Sequence, residues 1–156
     1  VLKKAYLKYS EVAGKTIDYM FYDLFKDYVE LKAETLGSAV FINDGKGNFT
    51  RQDLPADLQL APVFAFQQGA RTDVSNGSYL LGGNFYGVFP YEGRYDAQAV
   101  AQLQAGKQQA IRYVRQPNLS GISGEVRDLK WVHTAAYGDL LVVMRNNEKP
   151  VFLRPK

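Results

Sequence analysis

Apolar residues in the first part of the chain recur every three or four positions. Leu2, Tyr6, Tyr9, Ala13, Ile17, Met20, Leu24 and Tyr28 make one face of a helix. Gly14 interrupts this pattern, so residues 1–28 are expected to form a helical N-terminal segment of short pieces rather than one rod. Ser10 and Thr16 are candidate caps, and Asp23 before Leu24-Phe25 suggests a further start. From Val29 the period changes to two. Val29, Leu31, Ala33 and Thr35 alternate with Glu30, Lys32 and Glu34, which is the signature of a strand with one buried face.

Beyond Gly37 the chain reads as short strands separated by turn chemistry. Strands are expected over 38–43, 49–54, 62–67, 79–84, 99–104, 109–115, 124–133, 139–145 and 150–154. Asn43-Asp44-Gly45-Lys46-Gly47-Asn48 and Asn146-Asn147-Glu148-Lys149 supply hairpin turns, and Pro55 ends a strand because proline cannot donate to a ladder. Ala39-Val40 returns as Ala99-Val100, and Leu80-Leu81 as Leu140-Leu141, both at an offset of 60 residues (39 to 99, 80 to 140). The expected fold is therefore mostly β: two four-stranded, propeller-blade-like antiparallel units, 29–98 and 99–156, behind the short helical segment 1–28.

Composition agrees with this reading. The 156 residues include 11 Tyr, 9 Phe and 14 Gly, a mixture suited to half-buried pleated faces joined by tight turns. There is no cysteine, which removes disulfides and thiolate chemistry. No apolar run reaches the length of a membrane span. The chain starts at Val1 without an apolar signal segment, so it is expected to be a fragment or a processed product. Residues 99–156 hold nine basic and four acidic groups, net +5. Tyr113 and Trp131 interleave with the basic residues there. Strand alternation nevertheless sets Arg127 with Leu129 on one face and Asp128 with Lys130 on the other, so no basic stripe forms and no nucleic-acid partner is expected.

The stretch Leu80-Leu81-Gly82-Gly83-Asn84-Phe85-Tyr86-Gly87-Val88-Phe89-Pro90-Tyr91-Glu92-Gly93-Arg94-Tyr95-Asp96 carries more chemistry than a core strand needs. Gly82-Gly83-Asn84 lacks the Lys-Ser/Thr of a phosphate loop and is read as a strand-end corner, where glycine permits close approach and positive φ. Asn84, Tyr86, Tyr91, Arg94, Tyr95 and Asp96 are the candidate ligand-binding residues. Tyrosine offers a flat apolar face with a polar tip, and arginine can fork onto a carboxylate. The competing structural role puts Phe85 and Tyr95 in the core and joins Arg94 to Asp96 as a salt bridge. Glu92 with Asp96, and Glu125 with Asp128, are the candidate carboxylate pairs for glycoside hydrolysis. But Glu125 and Asp128, three apart on a strand, face opposite sides, Glu92 and Asp96 flank Arg94, and structural ion pairs are the expected role. His133, the sole histidine, has no cysteine to share a zinc with and reads as a surface residue. No G-x-S-x-G elbow surrounds any serine.

Val40-Phe41-Ile42-Asn43-Asp44-Gly45-Lys46-Gly47-Asn48-Phe49-Thr50, then Leu54-Pro55, Gln59 and Ala61-Pro62-Val63, resemble FG-GAP/VCBS repeats. Together with the Leu-Leu-Gly-Gly-Asn-Phe-Tyr-Gly-Val and Gly-Arg-Tyr-Asp motifs, the order is similar to the C-terminal region of Bacteroidetes-type repeat proteins of the ASPIC/UnbV-like kind. The resemblance implies an exported propeller, at the cell surface or in the periplasm, that binds rather than catalyses. It implies a glycan or protein ligand, or the rest of the same repeat protein as the partner. Repeats of this kind often hold Ca²⁺. The matching loop, Asp73-Val74-Ser75-Asn76-Gly77, is one residue short and poor in carboxylates, so no metal or other cofactor is expected. Two units cannot close a propeller, so an open sheet edge is expected to promote self-association. The alternatives are an accessory part of a carbohydrate-active enzyme, with Glu92 or Asp96 as the acid, and a purely structural end-piece.

Overall fold

The computed structural model describes residues 6–21, 24, 28–69, 77–106 and 110–155. The chain divides into two compact units, 1–36 and 37–156. In the first, helix α1 spans Tyr9–Val12 and α2 spans Ile17–Phe21. Gly14 separates them with φ +73°, the left-handed turn that glycine takes without a Cβ clash. Thr16 caps α2 as expected, its Oγ1 accepting the Tyr19 N–H at 3.3 Å. Ser10 does not cap α1. It lies inside the helix, and the Glu11 carboxylate instead accepts the N–H groups of Leu7 and Lys8 at 2.8 and 3.0 Å. The expected start at Asp23 lies outside the described residues. The alternating run Val29–Thr35 forms no strand, and Val29 and Leu31 are exposed. Alternation fits a run to a pleated face but supplies no neighbour, and without a paired strand the ladder does not form.

The second unit is antiparallel β. Its strands are β1 (Ala39–Asn43), β2 (Phe49–Asp53), β3 (Val63–Gln68), β4 (Ser78–Gly83), β5 (Val100–Ala105), β6 (Ile111–Val114), β7 (Val126–Thr134), β8 (Gly138–Arg145) and β9 (Val151–Leu153). The pairing does not follow the expected division at 98/99. The strands group as β1-β2, β3-β4-β5-β6 and β7-β8-β9, so the complete four-stranded sheet joins the last two strands expected in the first unit to the first two of the second. β4 meets β5 directly, Leu81 opposite Ala101, because both are apolar runs flanked by loops long enough to reverse the chain.

The four-stranded sheet has a core on each face. One face holds Leu81, Ala101 and Leu103 under Leu54 and Leu58. The other holds Ala65, Leu80 and Val100 against Val126, Leu129, Leu141 and Val143 of the three-stranded sheet. Each fully buried leucine or valine there contributes about 1.5–3 kcal/mol relative to exposure. Gln59 ties the first hairpin down: its side chain accepts the Ser38 N–H and donates to the carbonyls of Ser38 and Leu54, all within 3.0 Å. At the hairpin tip Asp44 accepts from the Lys46 and Asn48 backbones and from the Asn48 side chain. These bonds, that of Asn48 foremost, hold its carboxyl below the usual range.

The two sheets approach closely at Gly82. A Cβ on Gly82 would stand 2.5 Å from Val126 Cγ1 and 3.1 Å from Ala65 Cβ. We therefore expect Gly82→Ala to destabilise the protein by about 1–3 kcal/mol through overpacking, read as a lowered denaturant midpoint. Gly121→Ala, whose Cβ would meet nothing within 4 Å, is the control and is expected to leave the midpoint in place.

Candidate functional site

Two irregularities in the strands build the site. In the β3–β4 ladder Val63 faces Gly83 and Ala65 faces Gly82, which leaves Phe64 as an extra residue. In the β7–β8 ladder Val126 faces Arg145 and Asp128 faces Met144, which leaves Arg127 as another. A bulge re-aims the residue it displaces. Here the two displaced side chains meet, the Arg127 guanidinium lying 4.1 Å from the centre of the Phe64 ring. The bulge breaks the expected alternation at Arg127, while Asp128 and Lys130 share the exposed face as expected. Val126 and Leu129, three apart, are both fully buried, and Arg127 faces neither with them nor into solvent alone.

Arg127 continues into a polar junction. It donates to the Asn84 carbonyl at 3.1 Å and to Glu125 Oε1 at 2.8 Å. Glu125 Oε1 also accepts the Tyr86 N–H at 2.7 Å, and its Oε2 accepts from the Asn146 side chain at 2.8 Å. The hydrogen bond from Asn146, then that from Tyr86, hold the Glu125 carboxyl below the usual glutamate range against the opposing effect of burial, with Arg127 adding to them. Asn84 completes the junction. Its side chain donates to the Gly124 carbonyl at 3.1 Å and accepts the Gln98 N–H at 2.8 Å. The side-chain amide of Gln98 is itself buried, its Nε2 and Oε1 without a hydrogen-bond partner among the described residues.

This junction corrects the place of Asn84. It is 1 % exposed and at φ +76°, so it cannot touch a ligand and serves as the corner itself. Gly82 and Gly83 supply close approach, and the positive φ falls on Asn84, a residue that tolerates it. Glu125 and Asp128 take the structural ion-pair roles expected of them: Glu125 is the bonded centre of a network that includes Arg127, while Asp128 is exposed and ion-paired to Lys130. The two do not form a catalytic carboxylate pair.

Above the junction stands the loop 85–96. Its neck is closed by two backbone bonds, Phe85 N–H to Tyr95 O at 2.8 Å and Tyr95 N–H to Phe85 O at 3.0 Å. Tyr95 is half exposed and Phe85 half-buried, so neither is a core residue. At the tip the Glu92 N–H donates to the Phe89 carbonyl at 2.9 Å, a turn that places Pro90 where its fixed φ is favoured. The turn sets the Phe89 and Tyr91 rings side by side, 5.7 Å apart and 4° from parallel. Both are largely exposed, at 66 % and 82 %. Arg94 lies over the half-buried Tyr86 ring at 5.0 Å, and no ion pair joins it to Glu92 or Asp96 among the described residues. The structure thus brings Tyr86, Tyr91, Arg94, Tyr95 and Asp96 onto one loop and sends Asn84 beneath it. Phe89 escaped the sequence reading. The Phe-Pro-x-Glu turn was the available signal, since a proline turn pairs the residues beside it.

His133 is exposed and bonds Asp139 across the β7–β8 ladder at 2.7 Å. Most of the loop Asp73–Gly77 lies outside the described residues. Thr134–Gly138 is a hairpin turn closed by the Thr134 hydroxyl, which accepts from Tyr137 and donates to the Gly138 carbonyl, both at 3.1 Å. Among the described residues no three histidines or carboxylates gather as a metal site, and no helix is long and apolar enough to cross a membrane.

The lowered Glu125 pKa fixes a pH dependence. A carboxyl whose folded pKa lies below its unfolded value contributes stability above the unfolded value and loses it as pH falls through the folded one. Wild-type stability is expected to fall more steeply below the ordinary glutamate range than that of Glu125→Gln. At neutral pH Glu125→Gln is expected to cost about 2 kcal/mol, the worth of charge-assisted bonds at a partly screened site. Thermal melts of both proteins across acidic and neutral pH check this, and parallel pH curves would refute it. No protein-family model matches this chain, and neither any curated protein nor any solved structure matches it.

Proposed function

We propose that the chain is a non-catalytic binding module of an exported repeat protein, that its ligand is a glycan, and that the loop 85–96 is the recognition surface. The observation that carries this reading is the exposed, parallel Phe89–Tyr91 pair, set by the Phe89–Glu92 turn at the loop tip. Exposed rings cost surface free energy unless a ligand covers them, and a sugar ring presents the flat C–H face that an aromatic stacks upon. Arg94, Tyr95 and Asp96 beside the pair supply polar groups for hydroxyls. The loop is fixed at its neck by the Phe85–Tyr95 bonds and underneath by the Tyr86–Glu125 bond, so little ordering entropy is lost on binding. The resemblance of the 40–63 segment to FG-GAP/VCBS repeats supports the exported, repeat-protein part of the reading.

Catalysis is not part of this proposal. Glu92 and Asp96 are exposed, with no side-chain hydrogen bond or ion pair among the described residues. Glu125 is committed on both oxygens to the junction.

The test is a glycan array, with a peptide array beside it, probed with the wild type and with Phe89→Ala and Tyr91→Ala. Each variant is expected to bind its glycan at least tenfold more weakly, about 1.4 kcal/mol, with an unchanged melting temperature. Asn84→Ala is expected to lower the melting temperature instead. Capture of peptides but no glycan would replace the ligand class, and glycan binding that survives both aromatic deletions would remove the loop from the site.

A further inference from the structure

The 60-residue offset relates β1 to β5, through Ala39-Val40 and Ala99-Val100, and β4 to β8, through Leu80-Leu81 and Leu140-Leu141. Transferred to the strand pairing, the correspondence exposes an asymmetry. β5 lies between β4 and β6. Its counterpart β1 pairs with β2 alone among the described residues. The place that β4 fills beside β5, with β3 beyond it, has no counterpart beside β1.

The surface next to that place is apolar and open. A groove of about 760 Å³ runs between β1 and the four-stranded sheet, lined by Phe41, Ile42, Val63, Phe66, Tyr79 and Leu81 among others, with no charged side chain among its described lining residues. One sheet face changes character along its width. Leu81, Ala101 and Leu103 are buried beneath Leu54 and Leu58. On the outer strand of the same face Phe66 is 54 % exposed, stacked on Tyr79 at 5.0 Å. The uncovered part thus includes the β3–β4 side, where Phe66 and Tyr79 line the groove together with Phe41 and Ile42 of β1.

We infer that this groove accepts a β-hairpin from a partner built of the same repeat, which adds antiparallel to the free edge of β1 and lays its apolar side chains on Phe66 and Tyr79. The chemistry of the occupant follows from the surface. The open edge of β1 requires an extended backbone, and its direction is set by the antiparallel β4–β5 pair that occupies the corresponding place. The apolar lining requires period-two alternation with the apolar face inward. β7–β8, the counterpart of β3–β4, is a hairpin of this chain that carries Leu129, Leu141 and Val143 on one apolar face, and it serves as the probe. The loop 85–96 takes no part, so this inference stands apart from glycan recognition.

The experiment titrates the full chain with a synthetic peptide of residues 125–146 and follows hydrogen exchange at residues 39–43. Exchange at the β1 amides that do not bond β2 is expected to slow at least tenfold at saturating peptide. A scrambled peptide of the same composition is expected to change nothing. Phe66→Lys and Phe41→Lys, both at exposed positions, are each expected to abolish the protection while the melting temperature holds. Unchanged β1 exchange, equal protection by the scrambled peptide, or protection that survives both substitutions would overturn the proposal. Protection of β1 that grows with protein concentration without peptide would support it, with a second copy of this chain as the source of the hairpin.

Discussion

The Glu125 carboxylate is the constraint on which the visible architecture turns. It is buried at the junction of the two larger sheets, and a buried carboxylate is tolerable only when its oxygens are bonded. Its partners come from separate parts of the chain: Tyr86 after β4, Arg127 within β7 and Asn146 after β8. Satisfying one charge therefore fixes the angle at which three chain segments meet. The two bulges belong to the same requirement. Phe64 and Arg127 leave their ladders and meet face to cation, closing the side of the junction that hydrogen bonds leave open.

This junction explains why the loop above it is ordered although its tip is exposed. Asn84 turns the backbone with a positive φ and caps the turn on both sides, to Gly124 and to Gln98. Tyr86 is then anchored by its backbone, and its side chain is left to carry Arg94. Rigidity below and apolar exposure above are the combination that a preformed binding surface needs. The same division of labour separates residues that look alike in the sequence. Asn84 and Tyr91 are both polar or aromatic members of one motif, yet one is a structural pivot and the other faces solvent.

The edge of β1 left unpaired among the described residues and the uncovered side of the four-stranded sheet express a second constraint. A sheet edge carries unpaired N–H and C=O groups, and an apolar face beside it gains free energy when covered. The middle sheet has both of its faces at least partly covered and all four of its strands. The flanking sheets have two and three.

Much of the second unit was legible in the sequence by itself. Nine strand runs, the hairpin at Asn43–Asn48, the turn at Asn146–Lys149, the break at Gly14 and the cap at Thr16 all follow from period and local turn chemistry, which act over a few residues. Mostly-β architecture followed from them. What the sequence could not decide was which strand meets which. The run Val29–Thr35 has the right alternation and forms no strand, because pairing needs a neighbour that no local pattern provides. The four-stranded sheet crosses the boundary suggested by the repeat, because ladders depend on adjacency in space. Phe64 and Arg127 alternate as ordinary strand residues until two sheets press together, and only then does a bulge become the lower-energy arrangement. Local periodicity chose the elements; the tertiary structure chose their partners, because the burial of one charge and the covering of two apolar faces are satisfied only by the chain as a whole.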